Sequence, residues 1–241
     1  MMARAPIAAL TLRGLLDRRR TWLMVALAAV PVVLVGLAAG FGDAEIEAES
    51  FDALIVRLVL PLIALVFGTA AIGSELEEGT VVYLLTKPVR RARIVASKGA
   101  VAAGLTAALI GPAAVLTGIV ATLAGDDVVS VGVAYGIASA VGGAAYVMLF
   151  LVISTFTSRA LAIGLGYVML WEGVLADLLE GTRVLSVRQG TLAVARQLAG
   201  EEPPNGAVGF EQGLFIIVAV VVISGALATW RMSRYQLRGG D

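Results

Sequence analysis

Six stretches of this chain are apolar for about 20 residues or more, the length an α-helix needs to cross a hydrocarbon layer roughly 30 Å thick. They fall at residues 22–41, 53–74, 96–123, 131–157, 160–180 and 211–231. Backbone N–H and C=O groups find no water in lipid, so each run must satisfy them internally as helix. Composition agrees. The chain is 59% hydrophobic and 15% charged, against about 25% charged in a soluble domain, too little polar surface to coat a globule of 241 residues. The expected fold class is all-α: a polytopic membrane protein with six transmembrane helices, read as one transmembrane domain over residues 1–241. The first run is too long for a signal-peptide core and five more follow, so it reads as a retained anchor.

Orientation follows from where the basic residues sit. With the N-terminus inside, 14 of the 18 Lys and Arg residues fall on the cytoplasmic side, including Arg18, Arg19, Arg20, Arg90, Arg91, Arg93, Arg231 and Arg234. Acids collect on the other side, at Asp43, Glu45, Glu47, Glu49 and Asp52, then Asp126 and Asp127. An even number of spans places both termini in the cytoplasm.

Two segments read as helices that do not cross. Residues 6–20 place Ala8, Leu12, Leu15 and Leu16 near one face with Arg13, Asp17 and Arg20 opposite, which suits an amphipathic interfacial helix over residues 1–21. Between the fifth and sixth runs, Val184, Val187, Thr191, Ala195 and Leu198 recur at helical spacing. This stretch is too polar to cross, and Pro203 and Pro204 end it. It is expected as a helical loop on the outer face, residues 181–209.

Several chemistries are excluded by residue type. Cysteine and histidine are both absent, which removes disulfides, thiolate nucleophiles, Ser–His catalysis of the rhomboid kind and the usual zinc ligands. Glu77–Glu78 resembles the paired glutamates of membrane CAAX-type proteases, but the histidine partners are missing. Lys87 (LTKPV) and Lys98 (ASKGA) lie outside any GxxxxGK[ST] phosphate-cradling loop. The chain reads as neither an enzyme nor a metal or nucleotide binder, and any ATP-driven role requires a separate subunit.

One segment carries a dense mixture of charges. GSELEEGTVVYLLTKPVRRARIVASKGA, ending at Ala100, gathers Glu75, Glu77, Glu78, Lys87, Arg90, Arg91, Arg93 and Lys98 between two apolar runs. Its first half suits a short amphipathic helix, with Leu76, Thr80, Tyr83 and Leu84 on one side. Pro88 ends that helix and its fixed φ suits the first turn of the next. Such an elbow offers a surface to a cytoplasmic protein partner, while the arginines suit anionic headgroups.

The order Glu75, Glu77, Gly79, Thr80, Leu84, Leu85, Pro88, Arg91, followed by Lys98, resembles the permeases of the type-2 family of ATP-binding cassette (ABC) exporters. The resemblance covers essentially the whole chain and includes the YVMLWEGVLADLL stretch at 167–179. It implies the transmembrane subunit of an ATP-driven exporter, paired with a second permease copy or paralogue and with cytoplasmic ABC ATPase subunits that hold the ATP and Mg. It further implies that residues 75–95 form the coupling loop, with Glu75, Glu77, Glu78, Gly79, Thr80, Tyr83, Pro88 and Arg91 as contacts to the ATPase. The setting would be a bacterial cytoplasmic membrane, with lipids as further partners and no nucleic acid. Two rival readings use the same topology: an ATP-independent carrier or channel, and a scaffold that recruits a cytoplasmic partner.

Charges inside spans are functional candidates. Glu172 lies 13 residues past Arg159, about 20 Å along the fifth run, and Arg57 lies at a similar depth in the second. Together they are the candidate pathway or gate residues, or a structural pair if the two spans adjoin. Gly132 and Gly136 match the GxxxG close-approach pattern, which discriminates little in a chain with 28 glycines. Pro31, Pro61 and Pro112 are expected to bend their spans.

Overall fold

The computed structural model describes residues 11, 12, 14, 15, 18–41, 48–77, 90–178, 184–204 and 206–234. Every regular element among them is helical. Helix α1 is Arg18–Phe41. Helix α2 is composite: a turn at Ala48–Phe51, a π-helical stretch Asp52–Val59, then α-helix Leu60–Glu77. Helices α3 (Arg91–Ala124) and α4 (Val129–Phe156) follow. Helix α5 is again composite, with Ala160–Gly166 in α, Tyr167–Leu175 in π and a last turn Ala176–Leu178. Helix α6 is Val187–Ala199 and α7 is Phe210–Ser233.

Among the described residues, five helices are long and apolar enough to cross a membrane: Arg20–Phe41, Glu49–Gly73, Arg91–Ala124, Val129–Phe156 and Phe210–Ser233. The expected fifth span, 160–180, is a shorter apolar helix, Ala160–Leu175. Its π winding places more residues in each turn and advances less per residue than α-helix. Helix α3, by contrast, has 34 residues and reaches about 51 Å, longer than a hydrocarbon layer. Its first turn, with Arg91 and Arg93, extends beyond the apolar part. The interfacial helix expected over residues 1–21 lies largely outside the described residues.

Helix α4 is the hub, packing against α2, α3, α5, α6 and α7. Its small residues make this possible. A Cβ on Gly132 would come within 2.8 Å of the Ala114 carbonyl oxygen, and one on Gly136 within 3.1 Å of that of Gly111. The GxxxG pattern, undistinguished in the sequence, is therefore the seam along which α3 and α4 touch backbone to backbone. Tyr135, Tyr146, Phe150 and Leu151 of the same helix are fully buried and fill the space on either side of it. Buried hydroxyls return their protons to their own helix: Thr69 to Leu65 O, Thr106 to Ala102 O and Thr117 to Ala113 O, as an apolar setting requires.

Helix α6 is packed more deeply than its polar composition suggests. Val187, Thr191 and Ala195 are buried as their spacing predicts, but so are Arg188, Leu192 and Val194, while Val184 and Leu198 at the two ends are exposed. The helix is wedged between α4 and α7, with the π stretch of α2 against it. Glycines open the wedge: Gly142 of α4 faces Thr191, and Gly190 lies against Gly213 of α7. Gly200, in the left-handed region at φ 74°, closes the helix.

Candidate functional site

The charged segment between α2 and α3 is bracketed by described helix. Glu75 and Glu77 occupy the last turn of α2, and Arg91 opens α3. Glu78, Gly79, Thr80, Tyr83 and Pro88 lie outside the described residues. What the structure does fix is the mooring of the two helix ends. Lys98, 2% exposed, donates from Nζ to the Ala71 carbonyl oxygen at 2.8 Å. A buried ammonium is tolerated only with such partners, and here the bond ties α3 to α2 about two turns from where the segment departs.

The two charges expected inside spans lie in the two π-helical stretches, Arg57 in Asp52–Val59 and Glu172 in Tyr167–Leu175. The i→i+5 pattern is explicit, since Leu60 N–H donates to Ile55 O and Ala176 N–H to Trp171 O. The first stretch sits just before Pro61, which cannot donate to Arg57 O and whose ring crowds the turn behind it. π turns of this kind are rare and concentrate at functional sites. The two stretches meet: Arg57 Nη2 donates to the Gly173 carbonyl oxygen at 3.2 Å. The two helices adjoin here, the condition on which a pair depended, but this bond goes to main chain beside Glu172.

The Glu172 carboxylate, 3% exposed, is engaged from a third helix. Oε1 accepts from the Val187 N–H at 3.0 Å and from the Tyr167 hydroxyl at 2.9 Å, while Oε2 accepts from the Ser186 hydroxyl. Ser186 is also the N-cap of α6, its Oγ accepting from Gln189 N at 3.1 Å. A carboxylate from α5 therefore sits on the N-terminus of α6, where unpaired N–H groups and the positive end of the helix dipole favour an anion. Tyr146 stacks on Phe150 with centroids 5.9 Å apart, and Phe150 meets Tyr167 edge-on at 6.3 Å. That aromatic series fixes Tyr167 against the carboxylate.

Sequence reasoning found Glu172 and Arg57 but missed Ser186, Val187, Tyr167 and Arg188. Two signals were present. Ser186-Val-Arg-Gln189 has the S-x-x-Q form of a helix-start capping box, which places the N-terminus of α6 three residues later than its apolar periodicity does. Tyr167 and Glu172 are five apart, about 140° round an α-helix, so only the π winding brings them to one side.

A profile of ABC-2 family transporter proteins matches residues 6–236. The chain belongs to the ABC-2 transporter family. No curated protein matches it. The family assignment makes this a membrane component of an ABC transporter, in agreement with the resemblance carried by the charged segment. Two polar arrangements in this ABC-2 protein involve the residues singled out above: the Lys98 mooring beside the charged segment, and the junction where α2, α5 and α6 meet.

Proposed function

We propose that the chain is the transmembrane subunit of an ATP-driven exporter in a bacterial cytoplasmic membrane, with six spans and both termini in the cytoplasm. The short composite α5 is the fifth span. Two such subunits, identical or paralogous, form the substrate pathway and bind two cytoplasmic ATPase subunits, which hold ATP and Mg. The observation that carries this reading is the family match across residues 6–236.

On this reading residues 75–95 are the coupling loop, with Glu75, Glu77, Glu78, Gly79, Thr80, Tyr83, Pro88 and Arg91 against the ATPase. The structure offers a lever for the force. From Glu77 the α-helical part of α2 runs 18 residues, about 27 Å, to the π stretch whose Arg57 holds Gly173 of α5. Helix α5 in turn holds α6 through Glu172. Displacement of the loop is carried along α2 to this junction, so Arg57 and Glu172 act at the gate as positioning residues.

Co-expression with the ATPase encoded nearest to this chain tests the reading. The two should co-purify, and reversing Glu75, Glu77 and Glu78 to lysine should abolish ATP-coupled transport while leaving membrane insertion intact. Undiminished coupling in the triple variant would refute the role given to the loop.

A further inference from the structure

A second polar feature lies away from the Glu172 junction. The ends of α2, α4, α5 and α7 nearest the charged segment, together with the start of α1, enclose a cavity of about 420 Å³. It has room for about a dozen waters. Arg20 from the beginning of α1 and Arg231 from the last turn of α7 both line it, so the first and last helices each contribute an arginine to one wall. The described lining residues include no acid.

The hydroxyl inventory sharpens the preference. Ser154 and Thr155 donate to the carbonyls of Leu151 and Val152, and Thr69 to Leu65, so their protons are spent inside the wall. Thr157, in the turn between α4 and α5, instead accepts from Arg159 N–H at 3.1 Å. Its hydroxyl keeps a proton to give, and Thr157 lines the cavity next to Ser158. Two guanidiniums and a pair of turn hydroxyls form a donor set matched to phosphate oxygens. The rim is apolar: Phe156 and Leu161 line the cavity while remaining 51% and 54% exposed, and Arg231 lies over the Phe156 ring at 5.3 Å.

We propose that this cavity binds the phosphate of an anionic lipid headgroup between Arg20 and Arg231, with the acyl chains leaving over Phe156 and Leu161. An ion-binding cavity with an apolar lip at a helix-bundle end fits an amphiphile better than a fully hydrated ion. Placement in the inner leaflet, where anionic lipids attract basic residues, rests on the orientation proposed above. The binding itself does not. The shared chemistry is phosphate, available from a lipid or from solution.

Native mass spectrometry of the full chain tests this, using micelles doped with phosphatidylglycerol or with phosphatidylcholine and a separate arm containing inorganic phosphate. Phosphatidylglycerol should be retained in preference. Arg20→Gln and Arg231→Gln should each lower its occupancy by on the order of tenfold, as expected for losing a charge-assisted bond. Leu161→Trp, which keeps both charges and narrows the rim, should lower it too and serves if Arg231→Gln does not fold. Arg90→Gln with Arg93→Gln, two exposed arginines outside the cavity lining, should change nothing. Retained preference in Arg20→Gln, or an equal loss in the Arg90 and Arg93 control, overturns the proposal. Binding of inorganic phosphate with the same arginine dependence, and no preference between the lipids, assigns the cavity to a soluble phosphate and overturns the lipid reading.

Discussion

Removing the Glu172 carboxylate orphans three donors at once: the hydroxyls of Ser186 and Tyr167 and the N–H of Val187. A buried donor left without a partner costs about 1–3 kcal/mol, although hydrogen bonds between membrane helices average nearer ~0.6 kcal/mol. The charge on the acceptor favours the upper range, and hydroxyl rotation relieves part of the loss. Glu172→Ala should therefore destabilise the fold by about 2–5 kcal/mol. Glu172→Gln keeps the shape and one carbonyl acceptor, so about 1–2 kcal/mol is expected. Ser186→Ala loses the N-cap as well as the bond to Glu172, about 2 kcal/mol in total. Because Ser186 and Glu172 share one bond, the Glu172→Gln, Ser186→Ala double variant should cost about 1 kcal/mol less than the sum. Equilibrium unfolding in mixed micelles reads these differences, and hydrogen exchange at residues 187–190 should quicken in every single variant. Additive costs, with exchange in α6 unchanged, would show that the carboxylate does not hold the helix.

Three further outcomes follow from other contacts. A Cβ on Gly142 would strike the Thr191 side chain, with Thr191 Cβ only 2.9 Å away; Gly142→Ala should cost about 1–3 kcal/mol, and Thr191→Ala should restore part of it, measured by thermal unfolding. Lys98→Ala removes the buried bond to the Ala71 carbonyl and should lower stability by about 1–3 kcal/mol while raising exchange in the last turns of α2. Burial raises the pKa of Glu201 above the ordinary carboxylate range, against a smaller lowering effect of Arg196. Its charged form is thus disfavoured in the folded state, a cost absent at acid pH that grows as pH rises through the raised value. Glu201→Gln should be slightly more stable than the parent at neutral pH, the difference vanishing below the carboxylate range in pH-dependent melts.

The long spans were legible because apolar length alone specifies them: 53–74 corresponds to Glu49–Gly73, 131–157 to Val129–Phe156, and 211–231 to Phe210–Ser233. The fifth run was legible as an apolar helix, Ala160–Leu175, but its π winding was not, because that is a tertiary choice that no periodicity in YVMLWEGVL announces. Hydropathy also misjudged α6. Its polar residues suggested a surface helix, yet Ser186 is buried because Glu172 and the α6 N-terminus compensate one another. Burial of that kind is a property of a pair on two elements, and neither half of the pair reveals it alone. Arg57 illustrates the same limit, since it donates to the Gly173 carbonyl in the widened turn of α5.

The account rests on an ATPase pressing the segment between α2 and α3. A photo-crosslinking residue in place of Tyr83, with the same probe in place of Leu123 at the far end of α3 as a control, measures that contact in membranes of cells that make both subunits. The account predicts a crosslink to the ATPase from position 83 whose yield changes when ATP hydrolysis is blocked, and none from position 123. Crosslinking from 123, or from neither position while the two proteins co-purify, would contradict it.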